Sequence, residues 1–189
     1  MDVGKAIMTR RSIRDYKKKP VPDEVLVDIL ETARWAPSPV NSQPWRFIVI
    51  KDKEILTKVM AHAKYGSHLS EAPMAIAVIA TDVERFHWFN EIEENKYAAA
   101  VVATSIMLAA WEKGVGTGWV SVDRKEINNI LGVPDEYTVA AVITMGYPVK
   151  VEPHSDVDRR PVDMMVFSEK YGERFPRIDK EWVEEHMKK

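Results

Sequence analysis

Apolar positions recur along the chain with two periods, and these predict a mixed set of helices and strands. Asp2 to Thr9 predicts a short helix that runs into a basic cluster. Pro22-Asp23-Glu24 opens a second helix. A proline stands near its first turn, acidic residues suit the positive end of the helix dipole, and Val25, Leu26, Ile29, Leu30 and Ala33 form one apolar face. Pro37 and Pro39 stop it, because proline and the residue before it disfavour helix. Trp45 to Lys51 is rich in β-formers and predicts a strand. Residues 52–64 predict a helix with Ile55, Leu56, Val59 and Met60 inward.

Pro73 to Thr81 (PMAIAVIAT) is almost continuously apolar, which predicts a strand in a sheet covered on both faces. Glu91 to Lys113 predicts a long helix; its middle, Ala98 to Ala110, is Ala-rich and apolar nearly all round, so it should be central and closely packed. Gly114, Gly116 and Gly118 end that helix and lead into a strand over Trp119 to Val122. Asp123 is an N-cap candidate for Arg124 to Leu131, with Glu126 three residues on completing a capping-box-like pair. Tyr137 to Gly146 predicts another buried strand. Pro148 to Pro161 is polar and irregular, and Asp179 to Lys189 predicts a polar terminal helix, packed on a partner surface or left as a loose tail. There is no internal repeat or low-complexity linker. The order implies an α+β or α/β sandwich around a central sheet, with residues 1–178 as one domain and 179–189 as a terminal helix or tail.

Composition narrows the chemistry. The 189 residues can bury a core, and 46% hydrophobic against 30% charged residues reads as globular. Lys plus Arg is 27 and Asp plus Glu is 29, a net charge of −2, so no general affinity for nucleic acid or anionic membrane is expected. The absence of cysteine removes thiolate catalysis, disulfides and Cys-based metal sites. With neither a signal-peptide pattern nor an apolar run of about 18 residues, a cytoplasmic location is the default expectation.

Two stretches carry candidate chemistry. In Arg10-Arg11-Ser12-Ile13-Arg14, three forked cations and a hydroxyl can hold a phosphate; a solvated basic helix end is the structural alternative. In Pro37-Ser38-Pro39-Val40-Asn41-Ser42-Gln43-Pro44-Trp45, prolines restrict the backbone around side chains with both donors and acceptors. Such groups match the edge of a planar heterocycle, and a rigid loop of Asx-type turns is the alternative.

These two stretches, with the Pro22-Asp23-Glu24 helix between them, resemble the nitroreductase family of FMN enzymes. Gly114-Val115-Gly116-Thr117-Gly118-Trp119 after the Ala-rich helix, and Arg159-Arg160-Pro161-Val162, resemble that family's later elements in the same order. The resemblance implies a three-layer α/β/α sandwich with a central mixed sheet, assembled as a homodimer with FMN at the interface. It implies that Arg10, Arg11 and Ser12 bind the FMN phosphate and ribityl chain, and that Arg14 approaches the N1–C2 carbonyl edge as an electrostatic stabiliser. Pro37, Ser38 and Asn41 would line the ring, with Gln43 contributed from the other subunit. Trp119, Val120 and Ser121 would pass along the N5–O4 side, and Arg159 with Arg160 would close on the phosphate. The implied reaction passes hydride from NAD(P)H through the flavin to a nitroaromatic, quinone or similar acceptor by a ping-pong mechanism, with no catalytic side chain. The alternatives are another flavin reaction on the same fold, such as dehalogenation or flavin cleavage, and a non-catalytic flavin-binding protein.

The chain departs from the family in places. Position 14 is Arg where many relatives have Lys, and position 121 is Ser where one subgroup is acidic. Phe86-His87-Trp88-Phe89-Asn90 stands where relatives carry a lid, so His87, Trp88 and Phe89 are substrate or lid candidates, with a core anchor for the helix as the alternative. His68 stands where relatives place a flavin-contacting residue. The five histidines lack metal-site spacing, and no metal is expected. The glycines at 114, 116 and 118 follow a helix and precede a strand, the reverse of a dinucleotide fingerprint. Glu152, Asp156 and Asp158 read as solvated loop charges rather than a cation site.

Overall fold

The computed structural model describes residues 1–64, 71–81, 92–152, 159–173 and 175. Contacts divide the chain into two units, Met1–Val151 and Glu152–Lys189. In the first, α1 (Val3–Thr9), α2 (Asp23–Ala33), β1 (Trp45–Ile50), α3 (Lys53–Ala61), β2 (Met74–Ala80), α4 (Ile92–Glu112), β3 (Gly116–Val120), α5 (Arg124–Leu131) and β4 (Thr138–Gly146) follow in order. A single 3-10 turn, Pro39–Asn41, precedes β1. In the second unit, a 3-10 turn at Val162–Met164 is followed by the packed rings of Phe167 and Tyr171.

The helix starts follow local chemistry. Asp2 accepts from the Lys5 amide and Asp52 from the amides of Glu54 and Ile55, each satisfying donors that the first helical turn leaves open. Asp123 caps α5 in the same way through the amides of Lys125 and Glu126. The reciprocal half of the expected capping box is not formed: the Asp123 amide donates instead to the His62 carbonyl at 3.0 Å. At the other end of α5, Gly132 takes a left-handed φ of 64°, which glycine adopts without steric cost. Helix α2 ends at Ala33, before either proline is reached.

The sheet runs β1-β2-β4-β3, and all three strand pairs are antiparallel. Its mixed character comes from a parallel bridge between Ser12 and Thr117 at the β3 edge. One face packs on α2 and α4 through Ile29, Val102 and Ile106 against Ile76, Val78 and Ile143. The other packs on α3 and α5 through Leu56, Val59 and Ile127 against Ala77, Ile79 and Val142. All seven residues of β2 are buried, as a strand covered on both faces requires. The result is a helix–sheet–helix sandwich.

Further sequence expectations are corrected. Ile55 is 37% exposed, because it lies beside the stripe of Leu56, Val59 and Met60 rather than on it. The strand expected at Trp119 to Val122 begins at Gly116 and ends at Val120. Only Gly114, with φ 71°, belongs to the end of α4; Gly116 and Gly118 are strand residues. Phe86–Asn90, His68, His154, Asp156, Asp158 and the terminal helix expected at Asp179–Lys189 lie outside the described residues. No described helix is long and apolar enough to cross a membrane.

Candidate functional site

The basic segment leaves α1 and runs onto the edge of the sheet. Arg10 is the C-cap of α1, and its amide bonds back to Ala6. Arg11 Nη1 donates to the carbonyls of Met8 and Arg10, at 3.2 and 2.7 Å, which folds that guanidinium over the helix end. Ser12 bridges to Thr117, and the Ile13 amide donates to the Thr117 carbonyl at 2.8 Å. Farther on, Lys17 donates to the Tyr147 carbonyl, and Val149 donates to that of Asp15. Ser12 and Arg14 stay exposed while Ile13 and Tyr16 are buried. Ser12, Ile13 and Arg14 alternate as in an extended chain, and two exposed residues, Arg14 and Asp15, then separate the two buried anchors.

Glycines make the anchorage possible. A Cβ on Gly116 would lie 2.5 Å from Ile13 Cγ1, one on Gly118 2.7 Å from the Ile13 carbonyl oxygen, and one on Gly146 2.8 Å from Tyr16 Cδ1. The space that side chains would fill is thus taken on β3 by Ile13, and on β4 by Tyr16 together with Pro73, whose Cγ would lie 2.6 Å from a Cβ on Gly146. At the centre, the Tyr16 hydroxyl donates to the Ile13 carbonyl and meets Thr144 Oγ1, both at 2.8 Å. The Thr144 hydroxyl also reaches the Gly118 carbonyl at 3.2 Å.

Burial pushes the Tyr16 phenol up to about 12, against the smaller, lowering effects of the Thr144 hydrogen bond and the Arg14 charge. The unfolded chain loses that proton near pH 10, so between about pH 10 and 12 the folded state holds a proton that the unfolded state has released. Stability therefore falls as pH rises through this window. Tyr16→Phe should cost about 1–2 kcal/mol at neutral pH by leaving the Ile13 carbonyl unpaired, and should flatten this part of the alkaline decline. Urea unfolding of both proteins between pH 7 and 11 reads the difference, and parallel declines would remove Tyr16 as its source.

The Pro37–Trp45 loop is built from strained backbone. Val40, Asn41 and Gln43 have φ values of 48°, 54° and 51°, a region that branched Val40 rarely enters. The loop is held by its own bonds: Ser38 Oγ accepts from the Gln43 amide at 2.9 Å, and Gln43 Nε2 reaches Asn41 O and Oδ1 at 3.2 and 3.3 Å. Among the described residues, no hydrogen bond joins it to the arginine segment. Pro37 instead borders a shallow groove with Val3, Trp35, Leu108 and Ala109, where α1, α2 and α4 meet. In its lining Trp35 is 77% exposed and Val3 is exposed too, and elsewhere on α1 and α4 Ile7, Met8, Tyr97 and Val101 are exposed. The all-round apolarity of α4 thus has two destinations: Ala99, Val102, Ala103 and Ile106 fill the core, while Tyr97 and Val101 face outward.

Of the positions singled out in the sequence, the structure joins the Arg10–Arg14 stretch, through Ser12 and Ile13, to the strand carrying Trp119 and Val120. Trp119 is 41% exposed, Val120 is buried and Ser121 is exposed. Arg159 and Arg160 lie exposed in the second unit, and His87, Trp88 and Phe89 fall outside the described residues. Tyr16 and Thr144 escaped sequence reasoning. Thr144, the one polar residue between Val139 and Gly146 in an apolar strand, was the available signal.

A family model described as the nitroreductase family matches the chain at residues 7–69 and 57–147. The chain is 35% identical over 158 residues to a "Putative NADH dehydrogenase/NAD(P)H nitroreductase" of Methanothermobacter thermautotrophicus, covering 79% of each. It is 30% identical over 176 residues to a 5,6-dimethylbenzimidazole synthase of Rhodospirillum rubrum, covering 79% of this chain and 83% of that one. Among solved structures, an FMN-dependent nitroreductase of Clostridium difficile superposes with a TM-score of 0.73 at 31% identity, covering 88% of this chain and 98% of that one.

Proposed function

The chain belongs to the nitroreductase family of oxidoreductases, and from that premise we propose that it is a homodimeric FMN enzyme that passes hydride from NADH or NADPH to a nitroaromatic, quinone or similar acceptor in alternating half-reactions. The observation that carries this reading is the bonding of the Ser12–Arg14 segment to β3, which brings exposed Ser12 and Arg14 to the strand that bears Trp119.

These residues fit FMN. A phosphomonoester dianion needs several charged donors and a short neutral one, and Arg10, Arg11 and Ser12 offer that set in consecutive positions. Arg11 is bonded through Nη1, and no described hydrogen bond uses its other nitrogens. Arg14 would supply a permanent cation for the N1–C2 carbonyl edge of the ring, and Trp119 to Ser121 would flank its N5–O4 side. When bound, FMN supplies the hydride-accepting centre; the protein's part is to hold, orient and charge-stabilise it. Pro37, Ser38 and Asn41 would line the ring, with Gln43 contributed from the other subunit. That reading rests on Pro37 bordering the exposed apolar groove, a face that a second copy would cover.

The purified protein is expected to be yellow, to sediment as a dimer, and to bleach with NADH or NADPH and recover its colour when a nitroaromatic or quinone is added. A colourless protein that cannot be reconstituted with FMN overturns the proposal. The similarity to a 5,6-dimethylbenzimidazole synthase favours a second reading, a different reaction of the bound flavin. In that case nitroaromatics and quinones restore the colour no faster than they reoxidise free reduced FMN.

A further inference from the structure

A second cavity, of about 480 Å³, opens beside Trp119 and is lined by Lys64, Ser121, Asp123, Arg124 and Lys125. Its walls come from parts of the chain about 60 residues apart, lashed together by backbone. The Lys64 amide donates to the Ser121 carbonyl at 2.8 Å, Ala63 bridges to Val122, and the Asp123 amide donates to the His62 carbonyl. The end of α3 is thereby fixed against the start of α5, and Lys64 shares one cavity with Arg124 and Lys125.

Its charge is unbalanced. Among the described residues, the only carboxylate in the lining is Asp123, and its Oδ1 is engaged as the cap of α5, accepting from the amides of Lys125 and Glu126 at 3.1 and 3.4 Å. Among the described residues, no ion pair engages Lys64, Arg124 or Lys125. Three cations around one cavity repel one another, and an anion placed among them relieves that repulsion. Half-exposed Trp119 adds a flat apolar wall at the same opening.

We propose that this cavity binds an anionic group, a carboxylate or phosphate, carried by the molecule that stacks on the flavin, so that the protein selects anionic over neutral reactants. The inference rests on the FMN reading, because it takes Trp119 and Ser121 as the flank of the ring. It adds the class of reactant, which that reading leaves open.

The test uses the oxidised, flavin-loaded protein without reductant. It is titrated with 4-nitrobenzoate against its neutral isostere 4-nitrobenzamide, and with nicotinamide mononucleotide against nicotinamide riboside. In at least one pair the anionic member should bind about fivefold more tightly at low salt, the size expected of a few exposed ion pairs, and the preference should shrink as salt is raised. Lys64→Ala combined with Arg124→Ala should erase it, whereas Lys64→Arg should keep it. Erasure in the nitrobenzoate pair assigns the cavity to the acceptor, and erasure in the nucleotide pair assigns it to the hydride donor. No salt-sensitive preference in the unmutated protein, or a preference that survives the double substitution, overturns the proposal. The salt titration needs no variant to fold, and none of the titrations needs hydride transfer. A protein that bleaches with NADH yet shows no anion preference therefore sinks the cavity assignment alone.

Discussion

Arg10→Ala combined with Arg14→Ala is expected to weaken FMN binding by about 100-fold. A hydrogen bond to a charged group contributes about 1.5–3 kcal/mol, so losing two gives at least about 3 kcal/mol, and each 1.4 kcal/mol is tenfold in affinity. The lower end applies because Arg14 is exposed and its charge is screened. The fold should survive, since neither side chain belongs to the apolar cores. Recovery of free-flavin fluorescence on dilution measures the loss. Arg14→Lys, which keeps the charge, should retain most of the affinity contributed at that position. Unchanged retention in the double variant would remove both assignments.

Gly118→Ala is expected to destabilise the protein by about 3 kcal/mol, at the upper end for overpacking. The new Cβ would meet the Ile13 carbonyl oxygen at 2.7 Å and Thr144 Oγ1 at 2.8 Å. The first is backbone, and the second is held on a central strand by the Tyr16 hydroxyl, so neither can turn aside. For a chain of this size the melting temperature should fall by about 6–12 °C. The segment that must shift also carries Ser12 and Arg14, so FMN retention should fall with it. Gly4→Ala is the contrast. Its Cβ would stand in ordinary contact at 3.4 Å from Asp2 Oδ1, inside a helix where alanine is preferred. Equal losses in melting temperature for the two variants would refute the cradle.

Both expectations concern the same few residues, yet they differ in how far the sequence announced them. Arg10, Arg11 and Arg14 are legible because their charges are clustered along the chain, and a cluster of forked donors suggests an anion wherever it folds. Gly116 and Gly118 are misread for an equally physical reason. Glycine suits a helix end, a loop or a crowded strand, and nothing nearby in sequence tells which. The deciding neighbours, Ile13 and Tyr16, are about 100 residues away. The Asp123 cap was legible, but its amide's partner, the His62 carbonyl, was not.

The sequence by itself determined the layered sandwich. Continuous apolarity over 73–81, the one-sided stripe of α2 and the Ala-rich middle of α4 each favour burial through the area they remove from water, a local property of the pattern, although Tyr97 and Val101 of α4 stay exposed. It also determined the basic segment and the polar proline-bounded loop. Only the tertiary structure decided that the basic segment lies along β3, that Tyr16 and Thr144 pin it there, and that Lys64 shares a cavity with Arg124 and Lys125. Those juxtapositions depend on strand pairing and chain return across tens of residues, for which a linear pattern carries no signal.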